Sequence, residues 1–353
     1  MNIGLVNDLS LALTALRRVV ESVPGHTVAW EARDGREALQ CAIKQPPDII
    51  LMDLIMPVMD GAEATREIMR NAPCPILVVT ASITINAAKV YEAMGFGALD
   101  AVRTPTLGPA GSLEGAMALL AKIERVALVS GKMKARETRS VFTAQSAAQA
   151  KTMAGEKDRR PSILAIGAST GGPQALAAIL EKLPKPFTVP IVLVQHVDAD
   201  FAPGLAQWLA ERTGHAVIPA RAGARFEPGQ VYLASTADHM VVDEDGLIAY
   251  TPLPRELVYR PSVDVFFRSL AQFWPGSGVG LVLTGMGRDG AAGLKQLREQ
   301  GWKTFAQGQK TSIVYGMPKA AADLGAAEKI LELPDLAPAI LAHFQGARAA
   351  AKR

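Results

Sequence analysis

Short apolar runs alternate with longer amphipathic stretches through residues 1–126 of the chain. Such runs are typical of strands buried in a parallel sheet, and the stretches between them have the spacing of helices that cover the sheet. The pattern therefore predicts five strand–helix units. The predicted strands are Asn2–Val6, His26–Ala32, Asp48–Asp53, Ile76–Thr80 and Ala98–Val102, and the predicted helices are Leu9–Glu21, Gly35–Gln45, Gly61–Arg70, Thr84–Met94 and Ser112–Arg125.

The alternation stops at residue 127 and resumes at Ser162. The segment between is rich in Lys, Arg, Ser, Gln and Ala, and Phe142 is its only aromatic residue, a composition typical of a linker. Within it, Thr143–Ala154 is compatible with a helix. The predicted organisation is a first domain over 1–126, a basic linker over 127–161, a second domain over 162–345 and a tail over 346–353.

The second domain shows the same alternation of buried-type strands and amphipathic helices. This order predicts another α/β domain, doubly wound around a mostly parallel sheet. Its predicted strands are Ile163–Gly167, Pro190–Gln195, Gln230–Ala234 and Val279–Thr284, and its predicted helices are Pro173–Leu183, Pro203–Thr213, Ser262–Phe273 and Gly290–Gln300.

Length and composition agree with two soluble domains. The chain has 353 residues, 49% hydrophobic and 20% charged, which excludes wholesale disorder. No apolar run approaches the roughly 18 residues of a membrane span, and no signal peptide begins the chain, so the sequence predicts a cytoplasmic protein without membrane insertion. The basic excess lies at 131–160, with 8 basic and 3 acidic side chains and Phe142 as the one aromatic residue, which disfavours nucleic-acid binding.

Acidic and hydroxyl side chains follow several strands of the first domain. Asp8 follows the first strand, Asp53 ends the third and Thr80 ends the fourth. Because ligands bind beyond the carboxyl ends of parallel strands, these residues are candidates for a Mg²⁺ site at which Asp53 forms an acyl phosphate. Thr80 would then bind the new phosphoryl oxygens. A lone Asp after a strand more often caps the next helix, and for Asp8 alone that is the better interpretation.

The string DIILMDLIMPVMDG at Asp48–Gly61, with Asp8, Thr80 and Pro105, resembles the receiver domain of response regulators. The resemblance implies a flavodoxin-like (βα)5 fold, Asp53 as the phosphoacceptor and Asp8 as a second Mg²⁺ ligand. Two positions depart from the family. Asn7 replaces an acid and Thr104 replaces a lysine, while Arg103 would point the other way along its strand. We therefore expect weaker or retuned phosphorylation.

A glycine-rich turn begins the second domain. Gly167–Gly171 reads G-A-S-T-G between a predicted strand and a predicted helix, the pattern of a nucleophile elbow that exposes the hydroxyl of Ser169. The start of the helix would favour a developing oxyanion. The alternative is a phosphate-binding turn, but the sequence has neither GxGxxG nor a following Lys-Ser/Thr.

A serine nucleophile needs a base and a group that orients the base. His196 ends one predicted strand and Asp289 follows another, so the topology brings both to the same edge as Ser169. Taken singly, each has a plainer interpretation, a packed histidine or a helix cap. Three such residues at one edge favour a Ser-His-Asp triad, and their chain order differs from that of α/β-hydrolases.

Several strings together resemble the catalytic domain of the chemotaxis protein-glutamate methylesterases (CheB). The resemblance covers residue 162 to about 335 and implies a triad of Ser169, His196 and Asp289. It further implies support from Thr170 and an oxyanion-hole N–H at Met286. The strings NDLSLALTALRR and AVRTPTLG also resemble the Wsp-type branch, which serves surface-associated signalling. The strings that carry the CheB resemblance are GASTGG, QHV, RPSVDVFF, LTGMGRDGAAGL and TSIVYGMPKAA.

These resemblances imply phosphorylation-regulated hydrolysis of glutamate γ-methyl esters on chemoreceptors, with release of methanol and deamidation of some glutamines. The implied partners are a methyl-accepting chemoreceptor as substrate and a CheA-type histidine kinase as phosphodonor. Mg²⁺ is implied for the receiver and no cofactor for the ester step. Before phosphorylation, the receiver would cover the active-site rim. The alternatives are a binding module with an inactive esterase-like domain and a dinucleotide-dependent oxidoreductase, which lacks its glycine fingerprint.

Overall fold

A computed structural model describes residues 1–81, 83–108, 113–129, 161–257 and 259–350. Most of the predicted linker lies outside the described residues, including the stretch Thr143–Ala154. Within the described ranges, no helix is both long and apolar enough to cross a membrane.

The N-terminal domain contains a five-stranded parallel sheet in the order β2-β1-β3-β4-β5, which confirms the predicted α/β fold. β3 and β4 are buried along their whole length, as expected for strands covered by helices on both faces. The strands are β1 Asn2–Val6, β2 Thr27–Ala32, β3 Ile49–Met52, β4 Ile76–Thr80 and β5 Asp100–Arg103, and the helices are α1 Ser10–Glu21, α2 Gly35–Lys44, α3 Gly61–Asn71, α4 Ile83–Gly95 and α5 Ala116–Val129; a short antiparallel pair, β6 Thr106–Leu107 and β7 Leu113–Glu114, precedes α5.

The C-terminal domain contains a seven-stranded parallel sheet in the order β10-β11-β9-β8-β14-β15-β16. A separate antiparallel hairpin, β12-β13, packs on α8, so the domain is mostly parallel, as predicted. Its elements are β8 Ser162–Ala168, α6 Gly172–Leu180, β9 Ile191–Gln195, α7 Ala202–Thr213, β10 Ala216–Pro219, β11 Gln230–Leu233, β12 His239–Val242, β13 Ile248–Thr251, α8 Val263–Phe273, β14 Ser277–Val282, α9 Ala291–Glu299, β15 Lys303–Gln307, α10 Met317–Asp323, β16 Lys329–Leu331 and α11 Leu333–Ala350.

Two helices cross boundaries that the sequence predicted. α5 continues to Val129, beyond residue 126, and α11 continues to Ala350, beyond residue 345. Apolar residues of α11, among them Leu336 and Ile340, belong to the same buried cluster as α6 and β8. The last helix is therefore part of the C-terminal domain's core.

The two domains meet where α4 packs on α7. Gly204 in α7 allows close approach, since a Cβ there would lie 2.3 Å from the Cβ of Ala87 in α4. Tyr91, fully buried in α4, donates a 2.9 Å hydrogen bond to the carbonyl oxygen of Phe201, and its ring packs against Trp208. The contact is thus an interdomain core with a specific polar bond inside it.

Two ion pairs extend this interface toward the residues that follow β9. Arg103 lies 2.7 Å from Asp200, and both side chains are largely exposed. Lys122 is nearly buried, 2.8 Å from Asp100 of its own domain and 3.9 Å from Asp198. The N-terminal domain therefore contacts the short segment that begins at His196.

Candidate active site

A tight turn places Ser169 between β8 and α6. Gly171 adopts a left-handed conformation (φ 76°), and a Cβ there would lie 2.7 Å from the side chain of Ile313, so both conformation and space require glycine. The Gly172 N–H donates a 2.7 Å hydrogen bond to the carbonyl oxygen of Ser169. Ser169 thus lies in the turn just before α6 and is only 4% exposed.

Strand register brings Ser169 and His196 together. Ala168 is the register partner of Gln195, so the next residue of each strand lies at the same edge of the sheet. The His196 N–H donates to the carbonyl oxygen of Ala168 at 3.0 Å, and the Ser169 N–H donates to that of Thr284 at 3.0 Å. The predicted nucleophile therefore lies between the ends of β9 and β14.

His196 and Asp289 are in direct contact, with 2.7 Å between Nε2 of the imidazole and Oδ2 of the carboxylate. The beginning of α8 binds the same carboxylate. Ser262 donates through its hydroxyl (2.7 Å), Val263 through its N–H (2.7 Å) and Asp264 through its N–H (3.0 Å). Four donors thus fix Asp289 against His196.

These contacts decide the ionisation of Asp289. Burial would raise the pKa of its carboxyl, but the hydrogen bond and charge of His196 and the hydrogen bonds from Ser262 and Asp264 hold that pKa below its usual range. Asp289 is therefore an anion that accepts Nε2–H. The other ring nitrogen, Nδ1, is buried and has no hydrogen-bond partner among the described residues, so it is the nitrogen left to take a proton.

The pKa of Asp264, in the first turn of α8, shifts in the opposite direction to that of Asp289. Burial and then the negative charge of Asp289 raise the pKa of Asp264 to about 6. Its carboxylate accepts a 2.6 Å hydrogen bond from the Gly293 N–H at the start of α9. Of these two neighbouring acids, Asp289 is the one that stays charged in acidic solution.

Thr170 and Met286 lie beside the predicted nucleophile. The carbonyl oxygen of Thr170 accepts a 2.9 Å hydrogen bond from the Thr284 hydroxyl, and Thr170 is 8% exposed. A Cβ on Gly285 would lie 2.7 Å from the Cβ of Ser169, so the chain leading to Met286 touches the nucleophile. The roles of Thr170 and of the Met286 N–H stay predictions.

The predicted phosphorylation site lies at the carboxyl edge of the N-terminal sheet. Asp53 is 9% exposed, and its carboxylate accepts a 2.8 Å hydrogen bond from the Leu54 N–H. Burial, with a smaller contribution from the charge of Asp8, raises the pKa of Asp53 to about 6 against the hydrogen bonds from Leu54 and Ile55. A divalent cation would relieve both effects.

The residues at this edge fit Mg²⁺ with a small protein ligand set. The described residues contain no group of three or more His, Cys, Asp or Glu side chains placed for a metal. Asn7 is buried and uses its side-chain oxygen to accept from the Leu9 N–H at 2.9 Å. Asp8 and Asp53 are therefore the candidate ligands, which suits an ion that retains several waters.

Thr80 and Thr104 adjoin the acids. Thr80 is fully buried and accepts a 3.1 Å hydrogen bond from the Asn86 side chain. Thr104 donates its N–H to the Thr80 carbonyl at 3.0 Å, while its hydroxyl is buried and has no partner in the described part of the chain. Arg103 reaches Asp200 of the other domain. The cation expected at position 104 is thus not replaced by its neighbour.

Comparison with known proteins identifies both domains. Residues 164–340 match the family model described as CheB methylesterase, and residues 3–106 match that of the response regulator receiver domain. The chain belongs to the CheB methylesterase family. We hereafter use the names receiver domain and methylesterase domain for its two parts.

Full-length relatives share this organisation. A Burkholderia thailandensis protein named protein-glutamate methylesterase/protein-glutamine glutaminase 4 is 50% identical over 346 residues, covering 98% of each chain. A Mesorhizobium japonicum protein named protein-glutamate methylesterase/protein-glutamine glutaminase is 51% identical over 343 residues, covering 97% of this chain and 98% of its own. The crystal structure of the Thermotoga maritima CheB methylesterase catalytic domain is 31% identical, covers 51% of this chain and 97% of that one, and has a TM-score of 0.47. The Wsp-type branch stays a prediction.

Sequence reasoning missed residues that contact the members of the predicted triad. The Gln195 amide donates to the carbonyl oxygens of Ser169 (2.9 Å) and His196 (3.1 Å), so one side chain joins the two residues. His239 is fully buried: Nδ1 accepts from the Ser262 N–H at 3.1 Å and Nε2 donates to the Pro254 carbonyl at 3.2 Å. A polar residue ending the apolar strand β9 was the available signal for Gln195.

The raised pKa of Asp53 predicts a pH-dependent cost to receiver stability without metal. The pKa of Asp53 is about 6 in the folded protein and 3.8 ordinarily, so folding favours the protonated carboxyl. The stability that the protonated carboxyl contributes is fully present below pH 3.8 and is lost as the pH rises through 6. At pH 7.5, Asp53→Asn should therefore raise the free energy of unfolding by up to about 3 kcal/mol, a gain that vanishes near pH 4.

Native-state hydrogen exchange of the β1 and β3 amides in EDTA would measure this difference domain by domain. Asp34→Asn is the matched control, because Asp34 caps α2 and asparagine caps equally well. Added Mg²⁺ should reduce the difference in the free energy of unfolding between wild type and Asp53→Asn. Equal stabilities of these two proteins at pH 7.5 in EDTA would contradict the prediction.

Proposed function

We propose that this protein hydrolyses glutamate γ-methyl esters on methyl-accepting chemoreceptors, releasing methanol, and deamidates glutamines at such sites. The observation that carries the proposal is the 2.7 Å contact of His196 Nε2 with Asp289 at the sheet edge where Ser169 lies in the turn before α6. Relatives at about 50% identity across nearly the whole chain are named for both activities. The same acyl chemistry serves both, with methanol or ammonia as the leaving group.

In the proposed reaction, the Ser169 hydroxyl attacks the ester carbonyl while Nδ1 of His196 takes its proton. Asp289 keeps Nε2 protonated and stabilises the imidazolium. The Met286 N–H and the start of α6 stabilise the oxyanion, with Thr170 in support. His196 then gives its proton to the leaving methoxide, and water hydrolyses the acyl-enzyme by the same route.

Phosphorylation of Asp53 by a CheA-type histidine kinase is the proposed regulator. Asp8 and Asp53 would hold Mg²⁺, which neutralises phosphate charge during transfer, and Thr80 would bind the phosphoryl oxygens. The interdomain contacts support control of the active site, because Phe201, Asp198 and Asp200 follow His196 within one short segment. Phosphorylation would shift the protein toward a state in which the receiver releases this segment.

The test measures methanol release from a methylated receptor fragment, with and without Mg²⁺ and a small phosphodonor. We expect the phosphodonor to raise the rate by about 5- to 150-fold, the usual range of coupling between sites. Asp53→Asn should keep the basal rate and lose the stimulation. If wild type releases no methanol under either condition, the methylesterase function is wrong; a basal rate without stimulation would contradict only the regulation.

Gly204→Ala tests the interface without phosphorylation. The added methyl group would lie 2.3 Å from the Cβ of Ala87, so α4 must move away from α7. We expect the unphosphorylated variant to approach the stimulated wild-type rate. Adding Ala87→Gly restores the space and should restore the low basal rate. Identical basal rates for wild type and Gly204→Ala would argue against a covering role for the receiver.

A further inference from the structure

The imidazole of His196 has an aromatic neighbour on its face. The ring of Tyr259 lies parallel to it, with 4.3 Å between ring centroids and 5° between ring planes. Tyr259 precedes α8, whose first residues bind Asp289. One segment of chain therefore acts on the base in two ways. Tyr259 contacts the face of the imidazole, and the start of α8 binds Asp289, which contacts the imidazole edge.

The hydrogen bond to Asp289 alone does not fix the plane of the His196 ring. An imidazole held only at Nε2 can tilt about the Nε2–Oδ2 axis, and the tilt would swing the Nδ1 lone pair away from the Ser169 hydroxyl. A flat ring stacked on the face opposes that tilt. We propose that Tyr259 is a positioning residue that fixes the plane of His196 so that Nδ1 points at Ser169.

The same contact favours the charged form of the base. When His196 takes the serine proton it becomes a cation, and the face of an aromatic ring attracts a cation more strongly than a neutral ring. The contact is therefore stronger in the transition state than in the resting enzyme, so its removal should lower kcat rather than raise KM.

Tyr259 also reaches the turn that carries Met286. A Cβ on Gly287 would lie 3.4 Å from the Tyr259 hydroxyl oxygen, and Gly287 has a left-handed conformation (φ 86°). The tyrosine ring therefore extends from the base to the turn that holds the proposed oxyanion donor. The hydroxyl lies at the far end of the ring, and the positioning role assigned here belongs to the ring.

Two variants separate the ring from the hydroxyl. Tyr259→Phe keeps the stacked ring and should stay within about twofold of wild type in kcat and KM, whereas Tyr259→Leu keeps apolar bulk without the ring and should lower kcat by about 5- to 30-fold at nearly unchanged KM. Phe226→Leu is the control: it removes aromatic contacts to Tyr232 and Trp274 elsewhere in the domain and should leave kcat unchanged.

Proton NMR of His196 gives a readout that needs no substrate. A ring stacked on the imidazole moves its C–H resonances upfield; the shift should persist in Tyr259→Phe and disappear in Tyr259→Leu. If Tyr259→Leu keeps wild-type kcat, or if kcat falls as much in Tyr259→Phe as in Tyr259→Leu, the proposal is wrong.

The kinetic arm rests on the proposed methylesterase function, whereas the NMR arm does not. Absence of methanol release from wild type would overturn the function while the ring-current shift still reported the stack. Loss of the shift in wild type would overturn the positioning role even if the methylesterase function held.

Discussion

Replacing Ser169 by alanine is expected to reduce methanol release from a methylated receptor fragment by at least about 10⁴-fold, because no acyl-enzyme can then form. The His196–Asp289 contact and the backbone N–H groups remain, so the residual rate reports what they supply to direct attack by water. The measurement is kcat under stimulating conditions, with hydroxylamine trapping of the acyl-enzyme in wild type as a second readout.

Ser312→Ala is the matched control for this prediction. Ser312 follows the 3-10 turn after β15 in the same domain, and its hydroxyl donates to the carbonyl oxygen of Gly308 at 2.9 Å. The control should keep wild-type kcat, and both variants should keep the wild-type unfolding temperature. Wild-type activity in both Ser169→Ala and Ser312→Ala would exclude Ser169 as the nucleophile and place the reaction at a different active site.

In the methylesterase domain, the sequence predicted β8, β9, β11 and β14 but missed β10, β15, β16 and the hairpin β12-β13. β8, β9 and β14 consist of buried apolar or small residues, apart from their ends, so their pattern is strong. β15 was missed because polar residues interrupt it: Gln307 is buried and accepts from the Thr284 N–H, and Thr304 is buried and accepts from the Glu328 N–H. Such a strand satisfies its polar side chains with partners that are distant in sequence.

The same distinction divides the candidate site. Ser169, His196 and Asp289 each follow a predictable strand, and strand topology alone brings them to one edge. Tyr259 precedes α8, and His239 of β12 accepts a hydrogen bond from the start of α8. The positions of both residues depend on how β12 and α8 approach that edge. Local sequence patterns carry no information on such contacts, so only the structure shows which residues lie against the candidate site.

Asp289→Asn is expected to lower kcat by about 10⁴-fold, because an amide cannot satisfy the donors that surround this carboxylate. Oδ2 accepts from Val263 N–H and faces Nε2 of His196, and Oδ1 accepts from the Ser262 hydroxyl and Asp264 N–H. Every arrangement of the amide directs its NH₂ group toward a backbone N–H.

Where the NH₂ group replaces Oδ2, it donates to Nε2 and forces the proton of His196 onto Nδ1, the nitrogen that must accept from Ser169. Where it replaces Oδ1, it faces Asp264 N–H and pushes the side chain away from α8, which loosens its hold on His196. In either case the negative charge that stabilises the imidazolium is gone. ¹⁵N NMR of His196 should show the proton on Nε2 in wild type and a changed pattern in the variant.

Asp264→Asn separates the role of Asp289 from a general effect of removing a buried acid. It neutralises the adjacent carboxylate in α8 but retains the backbone N–H that donates to Asp289, and its side-chain oxygen can still accept from Gly293 N–H. We expect this variant to keep most of the wild-type kcat and the Nε2–H tautomer. A kcat for Asp289→Asn within about tenfold of that of Asp264→Asn would mean that Asp289 does not orient the base.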